Sequence, residues 1–511
     1  MKTRWTRSRT TAARPRALAR PAARGPVRRV LRPVVGALKA VGLVLAVVLV
    51  ITAVAAVWGS SKVQVERSAA PTVVNDVTQL NPIPVSRIVT PTTTEEVVAA
   101  VRAARGPVSI GGGRYSMGGQ TATPGGVQLD MRRFNRIVAL DRAAKTVTVQ
   151  SGVRWRQLQE YIDPANLSVK IMQTYANFTV GGSLSVNVHG RYVGLGPLIM
   201  SVRRIQVVLA DGTVVEATPT QNSEIFYGAI GGYGGLGVIV EATLSLADDV
   251  RIERRDTVIP VADYRAFFES TIRDDRNVIF HNADLYPPDF TTARQVSWYE
   301  TDKPVTIEDR IIAPDAKYTW QPRVASFVAR YDAGKWLRQH VLEPLYYSRQ
   351  RVAWRNWEAS YDVAELEPSS REEQTYGLRE YFVPVDRFDE FVPRMREIFA
   401  KHDANIINVS VRHALPDPGT LLAWAKEEVF AFVVYYRQGR RPQDIANVRA
   451  WSLEMIEDLI RQVVRAVSGL RKSRAVPCRL SARRRIFRAK GTGGSGQSLS
   501  QSPVATVVSA E

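Results

Sequence analysis

The sequence predicts an α+β fold in two folded parts, preceded by a transmembrane helix. Three observations support this prediction. Short strands of period two alternate with helices between about 80 and 250, a strand–helix–strand pattern occurs twice after residue 250, and an uncharged aliphatic run covers Ala40 to Val57. We therefore divide the chain into a basic tail (1–34), a transmembrane helix (35–60), a linker (61–80), a first domain (81–250), a second domain (251–464) and a disordered basic tail (465–511).

The run from Ala40 to Val57 is, with its flanks, long enough to cross a bilayer as a helix. Its N-terminal side is the basic one, so the positive-inside rule predicts a single-pass protein with a cytoplasmic N-terminus. Everything after Trp58 is then expected to lie outside the cytoplasm. Two alternatives stay open, namely a cleaved signal peptide and a mis-assigned start that adds a spurious tail.

The net charge of +20 at first suggests a nucleic-acid partner. Residues 1–34 and 465–490, however, contain many Lys and Arg residues and no acid, and the chain between them is close to neutral. A nucleic-acid surface would place its basic stripe on the folded body. We therefore expect membrane lipid and no nucleic acid as a partner.

Local signals define the elements of the first domain. Thr92 or Thr93 lies three residues before a Glu and predicts a capped helix. Four strands follow, at 107–110, 127–131, 136–140 and 146–150. After them come a helix at 154–162, a hairpin at 204–217 around the turn at 210–213, a helix at 223–230 and a long strand at 238–246.

Two glycine-rich stretches contain most of the functional information. They are Ile110 to Gln120 and Thr179 to Gly190, and each brings bare backbone N–H groups to where a phosphate could bind. A third stretch, Gly232 to Gly237, matches G-x-G-x-x-G, but a helix precedes it and a strand follows it. That order is the reverse of a Rossmann phosphate loop, so we interpret it as a turn beside the cofactor.

These motifs, together with Asp211-Gly-Thr213 and Gly231 to Ile239, resemble the flavin domain of the vanillyl-alcohol oxidase/p-cresol methylhydroxylase superfamily. Within it, residues 80–250 are similar to the branches of decaprenylphosphoryl-ribose 2′-oxidase and of the alditol and aldonolactone oxidases. The resemblance implies a two-subdomain PCMH-type FAD-binding domain, followed by a ferredoxin-like α+β cap domain that forms the substrate pocket.

The resemblance also implies the residues that bind FAD. The first loop would surround the pyrophosphate, the second would follow the ribityl chain and the flavin ring, and the strand after residue 237 would meet the adenine half. The implied residues are Gly111, Gly112, Gly113, Arg114, Tyr115, Ser116, Gly119, Gln120, Thr179, Gly181, Gly182, Ser185, Asn187, Val238 and Ile239.

Many relatives attach the flavin through a histidine at the position of Tyr115, so the resemblance implies that FAD is held non-covalently here. His189 lies at the family's position close to the flavin ring. It could fix the ring or the substrate hydroxyl, or it could cap the loop through backbone contacts, and the sequence leaves both readings open.

The second domain contains a duplication, because Val258 to Phe268 and Phe382 to Phe391 share a strand, a Pro-Val step and a helix. Each is followed by another strand, 277–285 and 405–413. Strand alternation predicts that Asn408, Ser410 and Arg412 share one face, and we expect them to line the substrate pocket rather than face solvent. Arg379 and Tyr381 alternate in the same way on the preceding strand.

These features predict an FAD-dependent oxidoreductase that takes a hydride from a CH–OH group of a polyol, a sugar or a lipid-linked sugar, with an unidentified electron acceptor. Tyr381 and His189 are the candidate proton acceptors, and Arg412 would orient the substrate or stabilise negative charge on reduced flavin.

The C-terminus departs from the family. After a predicted helix at 444–464, relatives continue with a polar strand that completes the pocket, whereas this chain continues with Arg-rich and Gly/Ser-rich sequence. Such a change is typical of a shifted reading frame, and the alternative is a genuine basic tail that binds acidic lipid. A shifted frame would leave a flavin-binding but catalytically impaired protein.

Overall fold

A computed structural model describes residues 71–313, 321–365 and 371–473. The described strands are β1 (Val73–Val74), β2 (Ile83–Pro84), β3 (Arg87–Val89), β4 (Val108–Gly111), β5 (Val127–Asp130), β6 (Ile137–Asp141), β7 (Thr146–Gln150), β8 (Leu167–Val169), β9 (Val202–Leu209), β10 (Val214–Ala217), β11 (Gly237–Asp248), β12 (Arg251–Pro260), β13 (Val278–Leu285), β14 (Thr292–Glu300), β15 (Val352–Trp354), β16 (Gln374–Pro384), β17 (Ile406–Ala414) and β18 (Val429–Gly439).

The described α-helices are α1 (Thr94–Arg102), α2 (Trp155–Ile162), α3 (Val180–Val186), α4 (Ser223–Ala229), α5 (Val261–Phe267), α6 (Gln321–Arg330), α7 (Asp332–Leu337), α8 (Glu343–Tyr347), α9 (Arg355–Glu358), α10 (Phe388–Lys401) and α11 (Pro442–Ser473). Turns of π-helix extend α5 at Phe268–Ile272 and join α7 to α8 at Arg338–Leu342.

The first domain combines two sheets. A parallel sheet of order β3-β5-β4 lies beside an antiparallel sheet of order β10-β9-β11-β7-β6, in which β8 also pairs with β11. The capping box at α1 is confirmed, since the Thr93 side chain accepts from Glu96 N and the Glu96 carboxylate accepts from the backbone of Thr93. The predicted hairpin is β9–β10, with Val214 opposite Val208.

The second domain contains one antiparallel sheet of seven strands, in the order β15-β12-β14-β13-β17-β18-β16. The repeat is larger than the predicted strand–helix–strand pair. Each copy is a strand, a helix and two strands, and its third strand lies between the first two: β14 between β12 and β13, and β18 between β16 and β17. The copies meet where β13 pairs with β17. This sheet is therefore larger than the ferredoxin-like sheet expected.

The two domains share a continuous apolar core. The cluster that contains Trp155, Leu184 and Phe226 of the first domain extends to Phe280 and Trp298 of the second. A separate cluster fills the space between the seven-stranded sheet and helices α5, α10 and α11. The face of the sheet opposite these helices is thus the one available to the glycine loops.

Several predictions fall at the ends of the chain. The tail 1–34, the predicted membrane helix 35–60 and residues 474–511 lie outside the described residues. Among the residues that are described, no helix is long and apolar enough to cross a membrane. The end of the predicted linker is folded, because β1 pairs with β2. The last helix, expected to end near residue 464, continues to Ser473.

Candidate functional site

Both glycine-rich loops line one cavity of about 180 Å³. The first loop follows β4 directly, and the second begins at Thr179, whose side chain caps α3 by accepting a hydrogen bond from Gly182 N at 3.3 Å. The turn after α4 completes the wall with Tyr233 and Gly234. This enclosed volume holds part of a dinucleotide and not the whole of it, since typical ligand pockets measure about 300–1,000 Å³.

Most of the implied FAD-binding residues line this cavity. They are Gly112, Gly113, Arg114, Tyr115, Ser116, Gln120, Thr179, Gly181, Gly182, Ser185 and Ile239. Four others lie outside its wall: Gly111, Gly119, Asn187 and Val238. Gly119 N instead donates to Asp76 at 2.9 Å, and Val238 packs in an apolar cluster with Leu129.

Two of the glycines are required because the loops approach closely. A Cβ at Gly112 would collide with the Thr179 side chain, and a Cβ at Gly181 would lie 2.6 Å from Ser151 Cβ. The first contact joins the two loops to each other, and the second joins the second loop to the end of β7. A side chain at either position would push the cavity walls apart.

Three polar atoms in the cavity wall have no hydrogen-bond partner within the described part of the chain. They are Arg114 Nε, Thr121 Oγ1 and Ser151 Oγ, and all three are buried. Buried polar groups are normally satisfied, so such atoms indicate a missing ligand. All three can donate to phosphate, hydroxyl or carbonyl oxygens, and a dinucleotide carries these acceptors.

Arg114 is held in place by a carboxylate. Its backbone is left-handed, with φ of 63°, and its Nη2 lies 3.1 Å from Asp130 Oδ2 at the end of β5. Burial would raise the pKa of Asp130, but hydrogen bonds from Arg132 and the charges of both arginines outweigh it and lower this pKa. Asp130 therefore remains ionised and fixes the guanidinium at the cavity wall.

His189 is buried against the second domain. Its Nδ1 lies 3.2 Å from the Gly190 carbonyl oxygen, and its Nε2 lies 3.2 Å from Oε2 of Glu380, which is also buried. A carbonyl cannot donate, so Nδ1 must carry a proton. Both ring nitrogens are thus engaged, which favours the reading of His189 as a loop-fixing residue.

Asn187 connects the second loop to the second domain. It ends α3 in the left-handed conformation, with φ of 52°. Its Nδ2 donates to Asp417 at 2.8 Å, its Oδ1 accepts from Ile199 N at 2.9 Å, and its backbone carbonyl accepts from Trp424 Nε1 at 2.9 Å. The structure therefore shows Asn187 as a structural bridge.

Arg412 lies on the sheet face that meets the second loop. Arg412 on β17 is paired with Ala431 on β18, and Ala431 is paired in turn with Phe382 on β16. The Phe382 ring lies 5.8 Å from the His189 ring of the second loop. Residues directly opposite in antiparallel strands share a face. The buried Nε of Arg412 has no hydrogen-bond partner, and the guanidinium forms no ion pair with a described residue.

The neighbours of Arg412 are used differently. Ser410 is opposite Val433, which is opposite Glu380, so Ser410 belongs to the same face. Asn408 is half-buried and fully engaged, because its Nδ2 donates to Asp284 at 3.0 Å and its Oδ1 accepts from Arg338 at 3.1 Å. Asn408 is therefore part of an internal polar network.

Tyr381 and Arg379 do not share the face of Arg412. Tyr381 is buried in the apolar cluster beneath α10 and α11, and its ring lies 6.4 Å from the Phe391 ring. Burial raises the pKa of Tyr381. Arg379 is opposite Val434, which belongs to the same cluster. The structure thus places Glu380, which lies between them, toward the glycine loops, and the sequence reading did not single out this carboxylate.

Two aromatic residues of the cavity wall also escaped the sequence reading. Phe178 contacts Tyr115, with ring centroids 4.7 Å apart, and Tyr233 has a left-handed backbone with φ of 51°. Burial, with a smaller contribution from the charge of Glu380, raises the pKa of Tyr233 to about 12. The signal for Tyr233 was present in the sequence, since it lies in the turn Gly232 to Gly237.

Comparison with known proteins identifies the first domain. Residues 85–218 match the family model described as FAD binding domain. The chain is 32% identical over 179 residues to decaprenylphosphoryl-beta-D-ribose oxidase of Mycolicibacterium smegmatis, covering 35% of this chain and 37% of that protein. It is 32% identical over 158 residues to alditol oxidase of a Streptomyces species, covering 30% and 37%. It is 31% identical over 149 residues to mouse L-gulonolactone oxidase, covering 29% and 34%.

These matches cover about a third of the length of each of the three relatives. The family match at 85–218 falls on the part of the chain whose motifs resemble the vanillyl-alcohol oxidase/p-cresol methylhydroxylase superfamily, and together with the relatives it confirms that resemblance. The cavity between the loops, with its unpartnered donors and its close-packed glycines, fits a dinucleotide. Residues 85–218 therefore belong to the FAD-binding domain family, and FAD is the cofactor of this domain.

Proposed function

We propose that the protein is an FAD-dependent oxidoreductase that takes a hydride from a CH–OH group of a polyol, a sugar or a lipid-linked sugar. The observation that carries this proposal is the buried Nε of Arg412, which has no hydrogen-bond partner among the described residues and lies on the sheet face that meets the second glycine loop. The names of the relatives support the substrate class, since they are oxidases of a lipid-linked ribose, of alditols and of a sugar lactone.

The chain's own residues would divide the work as follows. The two loops bind the cofactor, with Arg114, Thr121 and Ser151 donating to it. Bound FAD would supply the hydride acceptor. Arg412 would orient the substrate oxygens or oppose negative charge that develops beside the flavin, and Ser410 would offer a hydroxyl on the same face.

His189 and Glu380 would position the second loop and would not accept the substrate proton. Both nitrogens of His189 are already hydrogen-bonded. We do not propose Tyr381 as the proton acceptor, because it is buried in the core on the other side of the sheet. We therefore propose Arg412 as the residue that contacts substrate and the His189–Glu380 pair as positioning residues.

We also propose that the flavin is bound non-covalently. Among the described residues, the cavity wall contains no histidine or cysteine, and its strongest nucleophiles are the phenols of Tyr115 and Tyr233. The raised pKa of Tyr233 disfavours the phenolate that would have to attack the flavin. Acid precipitation tests this point, because non-covalent flavin stays in the supernatant.

For localisation, we propose a single-pass anchor at 35–60 with the flavin domain outside the cytoplasm. The support is the uncharged run from Ala40 to Val57 with its basic N-terminal flank. A reporter enzyme that folds only outside the cytoplasm, fused after Glu511, tests the orientation. Activity of the reporter is expected, and an inactive but intact fusion would contradict it.

The activity is tested on the purified full-length protein in detergent. The visible spectrum is recorded first, and a panel of alditols, sugars and sugar lactones is then added without oxygen. We expect a yellow protein that bleaches with at least one compound, and an Arg412→Met variant that stays yellow but does not bleach. A yellow protein inert to the whole panel would favour the catalytically impaired alternative. A folded, colourless protein that does not take up added FAD would contradict the proposal.

A further inference from the structure

The segment from Tyr331 to Tyr347 exposes a concentration of large apolar side chains. Trp336 is 58% exposed and Leu345 is 66% exposed. Four further large apolar side chains of the segment are also exposed: Tyr331, Val341, Leu342 and Tyr346. Exposed apolar residues are ordinary when they are scattered, whereas a contiguous group marks a contact surface.

The π-helical turn at Arg338–Leu342 places these residues on one side of the segment. Its i→i+5 hydrogen bonds widen the turn, so side chains four to five positions apart, such as Trp336 and Val341, lie toward the same side. In the α-helical turn that follows, side chains four apart are aligned, as Val341 and Leu345 are. The result is one continuous apolar stripe, which we call the outer stripe: Trp336, Val341, Leu342, Leu345 and Tyr346.

The opposite side of the same segment is polar and is packed against the protein. Arg338 donates to Glu343 at 2.6 Å and to Asn408 at 3.1 Å. Glu343 also bonds Tyr286 of the sheet domain. Tyr347 lies between two buried arginines, with its ring centroid 4.5 Å from the guanidinium carbon of Arg254 and 4.5 Å from that of Arg294.

This polarity is inverted. A surface helix of a water-soluble protein buries its apolar side and exposes its polar side. Here the buried side is bound by ion pairs and hydrogen bonds, and most of the apolar side is exposed, with only the Tyr346 ring also lying over the buried Arg254, 5.0 Å from its guanidinium carbon. The stripe is therefore not explained by the core of this chain and fits an apolar environment outside it.

Charge identifies that environment. Arg330, Arg349 and Arg351 flank the outer stripe, and among the described residues none of their side chains has a carboxylate partner. The exposed Asp332 is paired with Lys335 at 3.2 Å. Arg351 donates to the Tyr346 hydroxyl at 2.6 Å, which holds it beside the stripe. A stripe of Trp, Tyr, Leu and Val between arginines without carboxylate partners is the composition of a segment that lies in a membrane interface with anionic headgroups.

We propose that residues 331–346 bind the surface of an anionic lipid bilayer, with the outer stripe inserted among the headgroups and the three arginines on lipid phosphates. Asn408 contacts the inner side of this segment and lies on the same strand and sheet face as Ser410 and Arg412. The bound bilayer would thus lie next to the strand proposed to contact substrate. The membrane contact itself does not depend on the proposed oxidation.

The test uses full-length protein in vesicles and a probe that reports on this surface alone. Cys478 is first replaced by Ser, and an NBD fluorophore is attached at Leu345→Cys or, as a control, at Leu453→Cys. Leu453 is also exposed, at 47%, and lies on α11, across the seven-stranded sheet. Vesicles contain phosphatidylcholine with or without phosphatidylglycerol, and a brominated lipid serves as the quencher. Flavin absorbance and circular dichroism check that each variant folds.

Quenching is expected at position 345, not at 453, and more strongly in the anionic vesicles. Replacing Arg330 and Arg349 by Gln should remove the effect of phosphatidylglycerol. Equal quenching at both positions, or none at 345, would overturn the proposal. A blue-shifted but unquenched probe at 345 whose shift grows with protein concentration would also overturn it, because a second protein molecule would then cover the stripe.

Discussion

Removing the Glu380 carboxylate should destabilise the protein strongly, and replacing it by an amide should not. Glu380 and His189 are both buried, and the pair joins β16 to the second glycine loop. In Glu380→Ala, His189 Nε2 loses its partner in a site that water does not reach. In Glu380→Gln, the side-chain amide can donate to Nε2, while Nδ1 keeps its hydrogen bond to Gly190.

The magnitude follows from the burial of both partners. Removing one partner so that a buried donor or acceptor is left unsatisfied costs about 1–3 kcal/mol, and the lost packing of the truncated side chain adds to this cost. The Gln variant can keep a hydrogen bond to Nε2, so a loss of about 1 kcal/mol or less is expected. A double-mutant cycle with His189→Ala should show a coupling of about 0.5–3 kcal/mol, as contacting residues do.

Urea unfolding of the FAD-bound protein, followed by tryptophan fluorescence, measures these differences, and flavin absorbance gives the fraction of FAD retained. Val186 and Val188 flank the cavity on the same loop, so the Ala variant should also lose FAD. An Ala variant within about 1 kcal/mol of the wild type would refute the reasoning, because that value is typical of an exposed pair. A Gln variant as unstable as Ala would refute the proposed hydrogen-bond pattern.

Three other predictions concern the cavity wall, the substrate face and a buried acid. Gly181→Ala would place a Cβ 2.6 Å from Ser151 Cβ. Overpacking of this kind costs about 1–3 kcal/mol, so the Kd for FAD, measured by fluorescence titration, should rise about 5- to 150-fold. Gly106→Ala is the control, because a Cβ there meets open space and should leave the Kd unchanged. Arg412→Lys should lower kcat/KM about 10- to 100-fold in steady-state assays with the Kd for FAD unchanged, because the ammonium lacks the planar donor array. Burial raises the pKa of Asp249 from 3.8 to about 7. Between these pH values the folded state holds a proton that the unfolded chain has released, so the free energy of unfolding falls as the pH rises. Urea titrations of Asp249→Asn should show a flatter dependence on pH, and an unchanged slope would contradict this prediction.

The sequence was sufficient where one local signal decides the structure. The capping box of Thr93 and Glu96, the β9–β10 hairpin and the loop character of Gly232 to Gly237 depend on residues close together in the chain, and the structure confirms all of them. The glycine loops were also found in this way. Close approach of two backbones requires glycine, so the loops can be recognised from their glycine residues alone.

The sequence failed where a strand is buried on both faces. In Leu378 to Val383, polar and aromatic residues alternate without a consistent pattern, because one face packs on helices and the other on the glycine loops. Binary patterning cannot orient such a strand. The assignment of Tyr381 to the substrate face was therefore wrong, and Glu380 was missed. The partner of Glu380 lies 191 positions away, at His189.

The outer stripe was missed for a related reason. No prediction was made for residues 331–347 from the sequence, and only the bonds of Arg338 to Glu343 and Asn408 show which side faces inward. Sequence periodicity gives the existence of an apolar side but not its direction relative to the rest of the fold. The inverted polarity is thus a property of tertiary structure.

The second domain contributes to the flavin site as well as to the substrate face. Asn187 ends α3 in a left-handed conformation, which asparagine tolerates better than most residues. At this point its side chain and its carbonyl bond Asp417 and Trp424 of the second domain. Two residues further, His189 bonds Glu380. The second loop is therefore held from outside by three hydrogen bonds, so a change that loosens the packing of the second domain should weaken FAD binding before it alters any contact with substrate.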